Sequence, residues 1–314
     1  MTHARYPSTT RRTVLLGGLG AVLAGCASPS TPAAPPGPTG STSDAPRDPT
    51  PAVATAQREL AALEEVMGGR LGVYAVDTGS GTEVRHRADE RFLMCSTAKV
   101  LVSSAVLQAR SGQPGLLDRV IRYTPADLLA HSPTTAQHVS EGMTVAALCE
   151  AALTVSDNPA YNLLLPLVGE PEGLTAYLRT LGDTTSRCDR TEPTLNDTTP
   201  GDTRDTSTPA AYAATLRKLT VENALSAENR TQLLTWMRAS TTGKDLIRAG
   251  LPPTWDVADK SGSGSQGEVN NAATIQPPGR APWVIVLFTA PTKPGATTRP
   301  TLAEATRTIA RALT

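Results

Sequence analysis

Strand-like patterns stand at both ends of one long stretch of this chain, and helix-like patterns fill its middle. Residues 71–76 and 83–86 flank the turn-forming sequence DTGSG, which predicts two antiparallel strands. Apolar residues recur at helical spacing within residues 95–238. Further strand-like runs lie at residues 255–261, 269–275 and 283–289, and helical patterns at residues 55–67 and 302–313. This order predicts an α/β (α+β) fold, in which a five-stranded antiparallel sheet built from both chain ends is flanked by helices and carries an inserted all-helical lobe.

Residues 1–25 carry the features of an export signal. Three arginines, Arg5, Arg11 and Arg12, precede the apolar, glycine-rich residues 13–25, which are too few to span a bilayer as a helix. We therefore expect a signal peptide that is removed on export. The adjacent arginines leave two export routes open, the twin-arginine route and the general secretory route.

Cys26 follows the small residues of the sequence LAG, an arrangement that resembles a bacterial lipoprotein processing site. Cleavage there would make Cys26 the new N-terminus and attach lipid to it, whereas plain signal cleavage would discard it. Residues 26–51 are rich in Pro, Ser and Thr, with almost no large apolar side chain, which predicts a semi-extended tether. The predicted location is the outer face of the bacterial cytoplasmic membrane, where the lipid would hold the exported protein.

The remaining residues, 52–314, are predicted to form one globular domain. The formal net charge is zero at pH 7, which gives no electrostatic basis for binding nucleic acid. Beyond Cys26 the cysteines are Cys95, Cys149 and Cys188, an odd number, so we expect no disulfide framework. His and Cys residues do not occur at zinc-ligand spacing, and we expect neither a metal nor a cofactor.

Ser96 and Lys99 lie three residues apart at the predicted start of a helix, so their side chains share one helix face. The backbone N–H groups at a helix N-terminus favour an oxyanion formed on an acylated carbonyl, which suits Ser96 as a nucleophile. Taken alone, the pair is equally typical of a helix cap beside a solvated lysine.

Two further polar motifs follow at element boundaries. Residues 156–158 (SDN) separate two helical patterns, where Ser156 would pass a proton and Asn158 would bind a substrate amide; a capped turn is the alternative. Residues 260–262 (KSG) end a strand-like run, so that Lys260 is placed to bind a carboxylate and Gly262 lets a substrate lie against the strand edge.

The three motifs together, in this order, resemble the serine β-lactamase and penicillin-binding-protein superfamily. Residues 187–196 and 204–209 are polar and rich in Pro and Thr, and they resemble the Ω loop of class A β-lactamases. The resemblance implies that Glu192 holds the hydrolytic water with help from Asn196. It also implies an ion pair between Arg190 and Asp205 at the neck of the loop, and Asn162 as a structural partner of the loop.

The resemblance implies a reaction as well as a fold. Ser96 would attack the β-lactam carbonyl of a penicillin or cephalosporin, and the oxyanion would lie between the N–H groups of Ser96 and Ser263. Ser156 would protonate the departing nitrogen, and water activated by Glu192 would hydrolyse the acyl-enzyme. Substrate contacts are implied for Asn158, Asn196, Lys260, Ser261, Gly262 and Ser263. We expect a monomer whose residues 52–314 are the catalytic domain, with the active site between the sheet and the helical lobe.

Two points of the chemistry stay open at this level. The proton of Ser96 is taken either by Lys99 directly or by Glu192 through water. Lys260 should lower the pKa of Lys99 and Glu192 should raise it, so the direction of the net shift depends on distances.

The sequence departs from the family pattern around the substrate carboxylate. Val269 and Asn270 occupy the region where many relatives have an arginine, and Arg299 resembles the donor that some relatives use instead; a solvated arginine is the alternative. His131 falls where relatives usually have an aromatic residue at the cleft mouth. Cys95 adjoins Ser96, as in carbapenem-hydrolysing members, but Gly264 replaces the partner cysteine, which gives no support for broad carbapenem hydrolysis.

Other classes of protein fit less well. A D-alanyl-D-alanine transpeptidase or carboxypeptidase would share the two serines and two lysines but has no need of Glu192 and Asn196. A non-catalytic β-lactam sensor would stay acylated and would normally carry a signalling segment. The glycines of residues 262–267 match a dinucleotide-binding pattern, but a strand-like sequence follows where that motif requires a helix.

Overall fold

The computed structural model describes residues 49–197, 199, 201–292 and 298–314. The predicted signal peptide and Cys26 lie outside these ranges, as does the predicted tether up to residue 48. The described part of the chain belongs to one compact unit, Asp48–Thr314. None of its helices combines the length and apolarity needed to cross a bilayer.

Eight α-helices and nine strands are formed by the described residues. The helices are α1 (Pro51–Met67), α2 (Ala98–Arg110), α3 (Val145–Thr154), α4 (Asn158–Leu164), α5 (Glu170–Thr180), α6 (Pro209–Thr220), α7 (Ala227–Arg238) and α8 (Thr298–Leu313). The strands are β1 (Gly69–Asp77), β2 (Glu83–His86), β3 (Phe92–Leu93), β4 (Val120–Ile121), β5 (Met143–Thr144), β6 (Thr206–Ser207), β7 (Asp256–Ser263), β8 (Val269–Gln276) and β9 (Trp283–Pro291).

The main sheet has five antiparallel strands in the order β2-β1-β9-β8-β7, which confirms the predicted fold class. β1 pairs with β9 along its whole length, from Gly69 opposite Pro291 to Asp77 opposite Trp283. The sheet therefore joins the two ends of the globular part of the chain. Helices α2–α7 lie in the sequence between these ends. Two short antiparallel pairs accompany them, β4 with β5 and β3 with β6.

Two apolar cores lie on opposite faces of the sheet, because successive strand residues point to opposite faces. In β9, Val284, Val286 and Phe288 pack into the core of the helical lobe. Ile285 and Leu287 pack into the second core, beneath α1 and α8. Burial on both faces explains why β9 is a continuous apolar run.

Local sequence sets both ends of α1. Thr50 Oγ1 accepts a hydrogen bond from the Val53 N–H at 3.3 Å, and Pro51 occupies the first turn, where no N–H is needed. Gly68 ends the helix at φ 77°, a left-handed conformation that favours glycine. β1 begins at once, so α1 folds back onto the sheet it precedes.

Candidate active site

Ser96 lies in a 3₁₀ turn, Cys95–Thr97, that runs directly into α2. Cys95 has φ 50°, a left-handed value that a non-glycine residue holds only when its surroundings enforce it. Fully buried Asn270 on β8 supplies part of this constraint, because its Nδ2 donates to the carbonyls of Leu93 at 2.7 Å and Met94 at 3.1 Å. The sheet thus holds the backbone that presents Ser96.

Strand β7 lies against the same turn, and Gly262 makes the close approach possible. A Cβ at this position would lie 3.0 Å from both Ser96 N and Cys95 Cβ. The N–H of Gly264 donates to the carbonyl of Glu268, the residue before β8, so by antiparallel alternation the N–H of Ser263 points away from β8, toward the open edge of the sheet. This edge is where the predicted oxyanion site lies.

Lys99 connects the polar groups of the site. Its Nζ lies 2.7 Å from Ser96 Oγ, 2.8 Å from Asn158 Oδ1 and 2.5 Å from Glu192 Oε1. The side chains of Lys99 and Glu192 are fully buried. Burial lowers the pKa of Lys99 below its ordinary value, and Glu192 opposes this shift without reversing it. This gives the direction that the sequence left open.

Ser156 follows α3 at φ 61°, and its Oγ accepts hydrogen bonds from both lysines of the site. Lys260 Nζ lies 3.0 Å from Ser156 Oγ and Lys99 Nζ lies 3.5 Å from it. Burial holds the pKa of Lys260 well below its ordinary value, and the neighbouring Lys99 lowers it further. Lys260 also donates to the Ser261 carbonyl at 2.6 Å, and Ser261 Oγ donates to Thr242 Oγ1 at 2.6 Å.

The loop that carries Glu192 is fixed to the helical lobe through α4. Asn162 donates to the Glu192 carbonyl at 2.9 Å and accepts from the Glu192 N–H at 2.8 Å. Asn196 Nδ2 donates to Glu192 Oε2 at 2.5 Å. At the neck of the loop, Arg190 Nε and Asp205 Oδ2 are 2.5 Å apart. The ion pair and the Asn162 contact described from the sequence are both present.

The rim of the cleft contains the remaining predicted residues. Arg299 forms a bidentate ion pair with Asp245, and its Nη2 lies 3.4 Å from the Thr242 carbonyl. Thr242 also accepts the hydrogen bond of Ser261 on β7. Thr242 therefore links the Arg299 guanidinium to the edge of this strand. His131 is exposed, and its Nε2 lies 2.9 Å from the Val155 carbonyl.

Cys95, Cys149 and Cys188 are free and buried. Burial raises the pKa of the Cys149 thiol to about 12, which makes this cysteine an apolar core side chain at neutral pH. Among the described residues, no cluster of three or more His, Cys, Asp and Glu side chains has the arrangement of a metal site.

Sequence reasoning did not single out Thr242 or Asp245, and it treated Asn270 only as the absence of an arginine. Asn270 carries a usable signal, since two consecutive amides, Asn270 and Asn271, interrupt an otherwise apolar buried strand. Buried amides need partners, so such a pair indicates a contact outside the strand. Thr242 and Asp245 lie in a loop without a distinctive pattern.

A serine, two lysines and a carboxylate that converge between a five-stranded sheet and a helical lobe define a serine hydrolase of the acyl-enzyme type. The sequence profile described as the β-lactamase enzyme family matches residues 55–314. The β-lactamase AST-1 of Nocardia asteroides is 53% identical over 261 residues, which are 83% of this chain and 84% of that protein. The β-lactamase CTX-M-25 of Escherichia coli is 49% identical over 243 residues, 77% of this chain and 84% of that protein.

A solved class A β-lactamase from Mycobacterium abscessus superposes with a TM-score of 0.80 at 51% identity and covers 82% of this chain and 98% of its own. The chain therefore belongs to the β-lactamase enzyme family, in class A.

Proposed function

We propose that the chain hydrolyses the β-lactam ring of penicillins and cephalosporins through an acyl-enzyme on Ser96 and thereby confers resistance to these antibiotics. One observation carries the proposal. The Glu192 carboxylate lies 3.3 Å from Ser96 Oγ through Oε1, while its Oε2 is held by Asn196. A base this close to the acylated Ser96 oxygen can activate a water that hydrolyses the acyl-enzyme. Such hydrolysis distinguishes a β-lactamase from a protein that stays acylated.

Acylation begins with attack of Ser96 Oγ on the lactam carbonyl. Two groups lie within hydrogen-bond reach of the serine proton, the Lys99 amine and the Glu192 carboxylate. Burial lowers the pKa of Lys99, so its amine loses a proton more readily than that of an exposed lysine. The N–H groups of Ser96 and Ser263 stabilise the oxyanion, and Ser156 passes a proton to the departing nitrogen.

Deacylation uses a water activated by Glu192, with Asn196 holding the carboxylate. Lys260, Ser261 and Arg299 form the side of the cleft that receives the substrate carboxylate, and Asn158 faces the substrate amide. Gly262 keeps the strand edge free of a side chain, so the substrate lies beside Ser263. The reaction needs no metal and no cofactor, and we propose a monomer as the active form.

Turnover of a chromogenic cephalosporin by residues 51–314 tests the proposal, with Ser96→Ala and Glu192→Gln as variants. The wild type should turn over many times, and Ser96→Ala should be inactive. Glu192→Gln should accumulate an adduct on Ser96, visible by intact-mass spectrometry, because the deacylating base is lost while Lys99 still lies within reach of the Ser96 proton. A single stoichiometric burst from the wild type would favour the sensor or penicillin-binding alternative, and rapid turnover by Glu192→Gln without an adduct would refute its role.

We also propose that the protein is exported and held by lipid on Cys26 at the outer face of the bacterial cytoplasmic membrane. Support comes from the sequence alone, namely the charged and apolar residues 1–25 and the small residues before Cys26. In cells, Cys26→Ala should move the protein from the membrane fraction to the soluble exported fraction. Ser30→Ala, in the predicted tether, is a matched control that should not. Retention of Cys26→Ala in the membrane fraction would rule out the lipid anchor.

A further inference from the structure

The loop that carries Ser156 is hydrogen-bonded to residues 131–135. Asp157 Oδ2 accepts hydrogen bonds from the N–H groups of Thr134 and Thr135, both at 2.9 Å. The Asn158 N–H donates to the His131 carbonyl at 3.0 Å. These contacts fix the two residues that follow Ser156.

The His131 side chain contacts Val155, the residue that precedes Ser156. Its Nε2 lies 2.9 Å from the Val155 carbonyl oxygen, and because a carbonyl only accepts, Nε2 carries the proton. The Val155 carbonyl belongs to the peptide plane whose orientation sets φ of Ser156, and that φ is 61°. A non-glycine residue keeps such a value only where neighbouring contacts hold it.

The structure assigns His131 a role as a positioning residue: its imidazole locks the Val155–Ser156 peptide and so aims the Ser156 hydroxyl at the two lysines. Ser156 Oγ is 3.0 Å from Lys260 Nζ and 3.5 Å from Lys99 Nζ, so a rotation of this peptide would move the hydroxyl relative to both amines. The inference rests on the proposed function, in which Ser156 serves acylation while Glu192 serves deacylation. Loss of the His131 contact should therefore slow acylation alone.

Two amide side chains provide a matched test. In His131→Gln the side-chain nitrogen can reach the place of Nε2 and donate to Val155, whereas the shorter side chain of His131→Asn cannot. Stopped-flow acylation by a penicillin should be about tenfold slower in His131→Asn and His131→Ala and within about threefold of wild type in His131→Gln. Deacylation of the preformed adduct and the thermal midpoint should be the same in all variants.

His131→Phe separates this role from direct contact between the ring and the substrate. If Phe restores the acylation rate and Gln does not, His131 acts through substrate contact and the inference is wrong. Equal rates for Gln and Asn, a wild-type rate for Ala, or a matching fall in deacylation would also overturn it. Absence of turnover by the wild-type protein would instead refute the proposed function, and the same experiment measures it.

Discussion

Two ion pairs flank the cleft, and they differ in almost every property. Arg190–Asp205, at the neck of the loop that carries Glu192, has side chains only 14% and 3% exposed. Arg299–Asp245, at the rim, has side chains 41% and 57% exposed. Asp205 also accepts the N–H groups of Asp189 and Arg190, at 2.8 and 3.1 Å, whereas the contacts of the rim pair are side chain to side chain apart from one weak bond to Thr242.

The difference in burial predicts different roles: the buried pair stabilises the fold, and the exposed pair affects substrate selectivity. A buried pair whose partner is removed leaves a charge and backbone donors without solvent or partner, which is costly. An exposed pair exchanges its partner for water at little cost, so its arginine is free to respond to a substrate anion. Under the proposed function, the side with the buried pair holds the deacylating base, and the side with the exposed pair receives the substrate carboxylate.

The largest effect is expected from Asp205→Ala. This change removes the carboxylate partner of Arg190 and leaves two backbone N–H groups without their acceptor, so the free energy of unfolding should fall by about 3 kcal/mol. Denaturant unfolding measures it, and deacylation should slow because the Glu192 loop loosens. Asp202→Ala, on the same loop but paired with half-exposed Arg204, is the control and should have a much smaller effect. Equal losses in the two variants would contradict the distinction.

Glu64 is an intermediate case, a buried carboxylate paired with half-exposed Arg87. Burial alone would raise the pKa of Glu64, but hydrogen bonds from Arg87, the Leu71 N–H and His86 outweigh it and lower the pKa to about 2. A carboxyl with a lowered pKa stabilises the fold above its unfolded pKa, near 4.3, and loses that contribution as pH falls toward 2.

Glu64→Gln should therefore cost roughly 1–2 kcal/mol at pH 7, after allowance for the exposure of Arg87. The difference from wild type should persist down to about pH 5 and shrink as the pH falls further. Urea unfolding at a series of pH values measures it, with exposed Glu65→Gln as the control. A difference that stayed constant down to pH 2 would argue against the ion pair.

The smallest effect is expected from Arg299→Gln. Stability should change by less than about 0.5 kcal/mol, because the pair with Asp245 is exposed. KM for a carboxylate-bearing β-lactam should rise about threefold with kcat unchanged, since uniform binding is lost. Steady-state kinetics at low and high salt measure it, and Arg307→Gln on the same helix is the control. A large fall in kcat would show that Arg299 contributes to the chemical step, and the contrast between the buried and the exposed ion pair would then be wrong.

Much of this architecture was predictable from local patterns. The strand predicted at residues 83–86 matches β2, and the other four sheet strands agree within two residues at each end. The element order then confirmed the fold class. The two-residue strands β3–β6 escaped prediction, because pairs so short have no periodicity and form only when tertiary contacts bring them together.

The candidate site divides in the same way. Ser96, Ser156, Glu192 and Lys260 were found through short motifs, and the structure reports the distances among them. The net direction of the Lys99 pKa shift needed those distances, since burial and Glu192 act in opposite senses. The contacts of Asn270 with the Ser96 turn and of His131 with Val155 join distant parts of the chain. The paired amides at residues 270 and 271 indicate that a partner exists, but no local pattern identifies which residue it is.

The pairing of β1 with β9 has a consequence for biosynthesis. β1 lies between β2 and β9, and its partner on one side is among the last strands to leave the ribosome. Until then β1 offers an unpaired edge, and closing so long a loop is slow. The sheet therefore forms only when the chain is almost complete, and nascent chains ending before residue 283 should remain sensitive to protease.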